Sequence, residues 1–160
     1  PGSPVFATTT LSVDTSNAAG WNVTLLRDDG DTTMDMDSDA TTNIVDQTVW
    51  VPGAATTTPG NAVRIATLDS SGDVLAMRVM TASGSIPFRA SDWWGTTDSY
   101  ADAATTLWAG IASTAKKIGE TNVTSGGSAV LSTVLYYLDV PNTQKSGAYS
   151  GGITYTATVN

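Results

Sequence analysis

Six aspartates crowd one short stretch of the chain: Asp28, Asp29, Asp31, Asp35, Asp37 and Asp39. Carboxylates at alternating positions, as in Asp35-Met36-Asp37-Ser38-Asp39, could converge on Ca²⁺, which takes about six to eight hard oxygen donors. The spacing is not that of an EF-hand, whose later glycine and glutamate are missing here. The competing reading is a solvated acidic loop. Beyond this calcium candidate at Asp35, Asp37 and Asp39, no cofactor is expected. With no Cys and no His in the chain, thiol catalysis, iron–sulfur clusters and the usual zinc, copper and haem ligands drop out.

Catalytic groupings are sparse. Ser113-Thr114-Ala115-Lys116 matches the S-x-x-K of serine acyl-transferring enzymes, but the partner motifs S-D-N and K-T-G are absent. A carboxylate pair for glycoside hydrolysis would have to come from the aspartates, since Glu120 is the only Glu, and nothing in the sequence raises one carboxyl's pKa above another's. An enzyme is not expected.

Binding chemistry has a better claim. Trp93, Trp94, Tyr100 and Trp108 gather in one segment and could offer flat faces to sugar rings, although such residues more often fill a core or a subunit interface. Asn22-Val23-Thr24 and Asn122-Val123-Thr124 are N-glycosylation sequons, relevant to an exported chain. Lys116, Lys117 and Lys145 are the lysines available for a Lys–Asn isopeptide crosslink.

These groups need elements to hold them. At 160 residues the chain fits one domain with its own core. The net charge of -8 argues against a nucleic-acid partner. Charged residues make up 14%, against roughly 25% in ordinary soluble domains. Polarity is carried instead by hydroxyls and amides, a surface that suits subunit packing because little charge must be desolvated. No run of 18 or more apolar residues occurs, so no membrane span is expected.

Strand signals dominate. Val5, Ala7, Thr9, Leu11 and Val13 form one face of an N-terminal strand, with Phe6, Thr8, Thr10 and Ser12 on the other. Trp21, Val23 and Leu25 alternate with Asn22 and Thr24 in a second strand. The acidic stretch from Asp28 to Asn43 reads as a loop. Ala62 to Met80 reads as a hairpin turning at Asp69-Ser70-Ser71-Gly72-Asp73. Leu107, Ile111, Ala115 and Ile118 fit either a helix stopped at Gly119 or an extended segment. Two closing strands, "AVLSTVLYYLDVP" and "GGITYTATV", flank a polar turn. The sum is an all-β chain: a single antiparallel β-sandwich, Ig-like or jelly-roll, with about seven to nine strands. Residues 1–13 form an N-terminal strand able to act as a donor, and residues 14–160 form the sandwich.

The ending "LYYLDVPNTQKSGAYSGGITYTATVN" resembles the C-terminal hairpin of secreted bacterial surface and fimbrial-type β-sandwiches. The matching residues are Val140, Pro141, Gly147, Tyr149, Ile153, Thr154, Tyr155, Thr156 and Ala157, and "NAAGWNVTLL" is similar to an early strand of the same proteins. The resemblance implies export, display at the cell surface and a structural or adhesive task, with no catalytic residues to carry over. The segment Val5-Phe6-Ala7 also fits the small-x-Ala pattern of a signal-peptidase site.

Joined to the apolar N-terminal strand, this leads to one expectation: an extracellular filament or pilus subunit. Val5, Ala7, Thr9, Leu11 and Val13 would complete the sheet of an identical neighbour, head to tail. The alternative is a monomeric adhesin or carbohydrate-binding module that uses the tryptophan-rich segment to hold glycans.

Overall fold

The computed structural model describes residues 4–28, 33–46, 74–81, 94 and 108–160. Their regular elements are nine β-strands: β1 (Val5–Val13), β2 (Trp21–Arg27), β3 (Thr33–Met36), β4 (Asp39–Val45), β5 (Val74–Thr81), β6 (Lys116–Thr121), β7 (Val130–Asp139), β8 (Tyr149–Ser150) and β9 (Ile153–Val159). They form three antiparallel sheets, ordered β1-β7-β5, β6-β2-β9 and β4-β3-β8. The all-β, sandwich-like class expected from the sequence is what the chain adopts.

Two of the sheets pack face to face, for a reason written in their alternation. Trp21, Val23 and Leu25 on β2 meet Leu75, Met77 and Val79 on β5 and Val130 and Val134 on β7, and all of these are buried. Each such side chain withdrawn from water contributes roughly 1.5–3 kcal/mol before ordering costs. The β1-β7-β5 sheet is covered on its other face as well, where Val74, Ala76, Leu135 and Tyr137 pack with Trp108 and the half-buried Phe6. Strands buried on both faces carry near-continuous apolar runs, and "VLAMRVM" on β5 is one.

A bulge ties the second sheet to a distant tryptophan. Along β2, Val23 pairs with Gly119 and Thr24 with Lys117, leaving Ile118 as the additional residue on β6. The Ile118 carbonyl accepts a 3.1 Å hydrogen bond from the Trp94 indole.

Three expectations change. Ile118 and Gly119 belong to strand β6, so the helical option for the segment ending at Gly119 is overturned; Ile118 is wholly buried between sheets. From Thr33 on, the acidic stretch is no loop: β3 and β4 pair as a hairpin, because Met36 and Ile44 point into the protein while Asp37 and Ser38 make the exposed turn; Asp29 and Asp31 lie outside the described residues. Finally, β7 and β9 are not a hairpin. β7 lies between β1 and β5, β9 pairs with β2, and the short β8 between them pairs with β3. The first arm of the expected 62–80 hairpin lies outside the described residues.

Val5–Val13 of the N-terminal segment is, among the described residues, an edge strand of the first sheet. It pairs antiparallel with β7 over its full length, from Val5 opposite Leu138 to Val13 opposite Val130.

Candidate functional site

Among the described residues, the β1 and β9 strands are edges of different sheets, and they lie on the same side of the sandwich. At one end Val5 and Ile153 line a common cleft of about 400 Å³. At the other, Val13 and Val159 share a smaller depression with Trp21. The two strands therefore run in the same direction along one open side.

Edge strands expose unpaired backbone groups, and proteins usually guard them with charge, proline, bulges or cover. The guards here are distributed unevenly. On the opposite side, Met77 of β5 exchanges hydrogen bonds with Ala109 at 2.8 and 3.0 Å, which covers that edge. The β6 edge carries Lys116, Lys117 and Glu120, with a 2.5 Å Lys117–Glu120 ion pair. Along β1 and β9 there is no Asp, Glu, Lys, Arg or Pro, only Thr, Ser, Ala, aromatic and aliphatic residues.

The expected donor face is present as a face. Val5, Ala7 and Thr9 line the cleft, and Leu11 and Val13 pack half-buried on the intersheet core. Opposite them, Ile153 and Tyr155 of β9 do the same, while Thr154, Thr156 and Thr158 face water. Alternation thus separates the core-facing Ile153 and Tyr155 from the solvent-facing Thr154 and Thr156, while Ala157 and Val159 at the end of β9 are exposed.

Arg27 brings a charged group to the otherwise mostly apolar cleft lining. Arg27, at the end of β2, donates from Nη2 to Asp46 Oδ1 at 2.5 Å, with both side chains wholly buried. Among the described residues, its Nε and Nη1 have no hydrogen-bond acceptor. The hydroxyls of Tyr136 and Tyr155 meet across the cleft. Burial, the dominant cause, pushes the Tyr136 phenol up to about 12, against smaller lowering effects from Thr9 and Arg27. Sequence reasoning missed this group. The signal was Arg27 itself, two residues past Leu25 on the inward row of β2.

The other candidates are dispersed. Asp35 Oδ1 accepts from Thr33, Asp37 Oδ1 from Ser150, and Asp39 from Thr41, Thr42 and Lys145. Among the described residues no three acidic side chains gather as a metal-holding group. Hydrogen bonds from Thr41, Lys145 and Thr42 hold the Asp39 carboxyl well below the usual carboxylate range.

Trp94 and Trp108 are wholly buried, so neither presents a ring face to a sugar; the packing alternative describes both. Trp93 and Tyr100 lie outside the described residues. Trp108 stacks edge-on to Tyr137 at 5.8 Å and lies 5.9 Å from the Arg78 guanidinium, while Arg78 donates to the Trp94 carbonyl at 2.8 Å.

Of the sequons, Asn122 is exposed, whereas Asn22 lies within β2 and donates to the Asn160 side chain at 2.9 Å. Lys117 and Lys145 are held in ion pairs with Glu120 and Asp39. Ser113 precedes β6 and Lys116 begins it. Among the described residues no helix is long and apolar enough to cross a membrane.

No protein-family model, curated protein or solved structure matches the chain.

Proposed function

We propose that this protein is a structural subunit of an extracellular filament, assembled by passing β1 from one copy to the sheet of the next. The observation that carries this reading is the position of β1, among the described residues, as an uncharged edge strand held by one neighbour, β7. Six of its nine side chains are exposed and only Phe6, Leu11 and Val13 are half-buried, so its release uncovers little apolar surface of its own. Pairing with the β7 of another copy would restore the same nine-residue register, which makes exchange nearly neutral in bonds. Each copy then gives one strand and accepts one, and the contact propagates head to tail instead of closing.

The role is non-catalytic and the setting is the cell surface, in line with the low charge and hydroxyl-rich composition. The glycan-binding alternative loses Trp94 and Trp108 as platforms.

A lock on exchange tests the proposal. Thr10 and Thr133 are direct cross-strand partners, so Thr10→Cys with Thr133→Cys can be bridged within one chain. Electron microscopy is expected to show filaments from the reduced chain and none from the oxidised chain. Fibres from the oxidised, locked chain would sink strand exchange. So would a well-folded chain lacking residues 1–13 that still forms fibres.

A further inference from the structure

We infer that the open side is a self-pairing surface. A second copy docks there about a two-fold axis perpendicular to the sheets, its β1 antiparallel to β1 and its β9 antiparallel to β9.

Three observations lead to this partner. The chain carries a net charge of -8, so like copies repel, yet β1 and β9 carry no ionisable side chain apart from the Tyr155 phenol. A copy can approach there without desolvating charge.

The two edges also run in the same direction along one cleft. A single rotation that makes one pair antiparallel therefore does so for both, and the three-stranded sheets continue as two sheets of twice the width. A parallel arrangement of β1 against the partner's β9 would be slightly less stable per residue.

Docking further covers apolar surface otherwise left in water. Val5 is 60% and Val159 57% exposed, at opposite ends of the open side. The apolar cleft of each copy would be closed by the opposite end of its partner's edge strands.

Because both free edges face one way, the contact is isologous and closes on itself. It does not depend on strand exchange: an exchanged β1 occupies the same place beside β7 and offers the same outer edge. In a filament the contact would join subunits laterally.

Sedimentation of the full chain over a range of concentrations tests this pairing. The expected species is a dimer, weakened at least about tenfold by Ala7→Lys or Ala157→Lys, with unchanged circular dichroism, since an inward-pointing charge guards an edge. A cysteine series reads the geometry independently, because the chain has no Cys. Residues directly opposite in an antiparallel pair have Cα atoms about 4.5–5.5 Å apart, within disulfide reach. Among Ala7→Cys, Thr9→Cys and Leu11→Cys, the residue nearest the axis is expected to crosslink to its own copy, whereas the exposed Thr114→Cys is not. A monomer at every concentration overturns the proposal. So does a dimer that crosslinks at none of the three β1 positions, or folded lysine variants that dimerise as before.

Discussion

Arg27 and Asp46 form an ion pair at 2.5 Å with neither side chain reached by solvent. A buried pair of this kind is a poor source of net stability, but removing one member strands the other charge. Asp46→Ala is expected to lower unfolding free energy by about 3–5 kcal/mol, measured by urea denaturation. The double replacement Arg27→Met with Asp46→Leu is expected to recover most of that loss. A single variant as stable as the parent would mean that the guanidinium finds another partner.

Gly20 has φ +85°, and a Cβ built there would run into the Thr121 carbonyl. Gly126 has φ +69° with open space around it. Gly126→Ala is therefore expected to cost about 1–2 kcal/mol, the price of the left-handed backbone alone. Gly20→Ala should cost clearly more, because the backbone on both sides must move. Equal losses for the two in thermal unfolding would argue against the close approach of Gly20 to Thr121.

Phe6 packs edge-on to Tyr137 at 5.5 Å and lies 6.2 Å from the Trp108 ring. It is the largest side chain holding the first half of β1 to the sandwich. Phe6→Ala is expected to destabilise the fold by about 1–3 kcal/mol, less than a fully buried phenylalanine would. Under strand exchange it should also hasten filament growth, because β1 leaves more easily. Light scattering reads this, and slower growth would count against release of β1 as the limiting step.

Tyr136 titrates upward from 10.0 to about 12 because burial disfavours the phenolate. A raised folded-state pKa means that its contribution to stability is fully present below pH 10. That contribution is lost as pH rises towards about 12. Phenolate absorbance is expected to show one tyrosine ionising late, and Tyr136→Phe should remove that step. A variant with an unchanged late step would assign it to another tyrosine.

Asp39 behaves in the opposite sense. Thr41, Lys145 and Thr42 hold its carboxyl low, so its stabilising effect is present above the ordinary carboxylate value of 3.8 and fades as pH falls below it. Side-chain NMR titration should place its midpoint below that value, and Lys145→Met should move the midpoint up. A midpoint indifferent to Lys145 would show the ion pair to be broken in solution.

The relation between sequence and fold differs from strand to strand. In "WNVTLLR" the period of two separates a buried from a half-buried row, and in the first half of "ITYTATV" it separates a half-buried from an exposed row, because successive side chains in a strand must point to opposite faces. That is a local property, and residue order determined it, together with the all-β class, the low charge of the surface and the exclusion of cysteine and histidine chemistry. In "TMDMDSDATTNI" the same period is present, but only Met36 and Ile44 are deeply buried, so the aspartates outweigh the signal of the hairpin. Helical spacing from Leu107 to Ile118 was equally local, and the intersheet core overrode it by burying Ile118 on a bulge.

What only the tertiary structure decided is pairing. Nothing in "AVLSTVLYYLDVP" and "GGITYTATV" says that they belong to different sheets, since hydrogen-bonding groups of a strand are alike along every edge and the partner is chosen by the packing of distant faces. For the same reason Arg27 could be seen on an inward row, while Asp46, 19 residues away, could not be named as its partner. The open side is the clearest case. Each of β1 and β9 reads alone as an uncharged strand, and only packing of the two sheets sets both unguarded edges along one cleft.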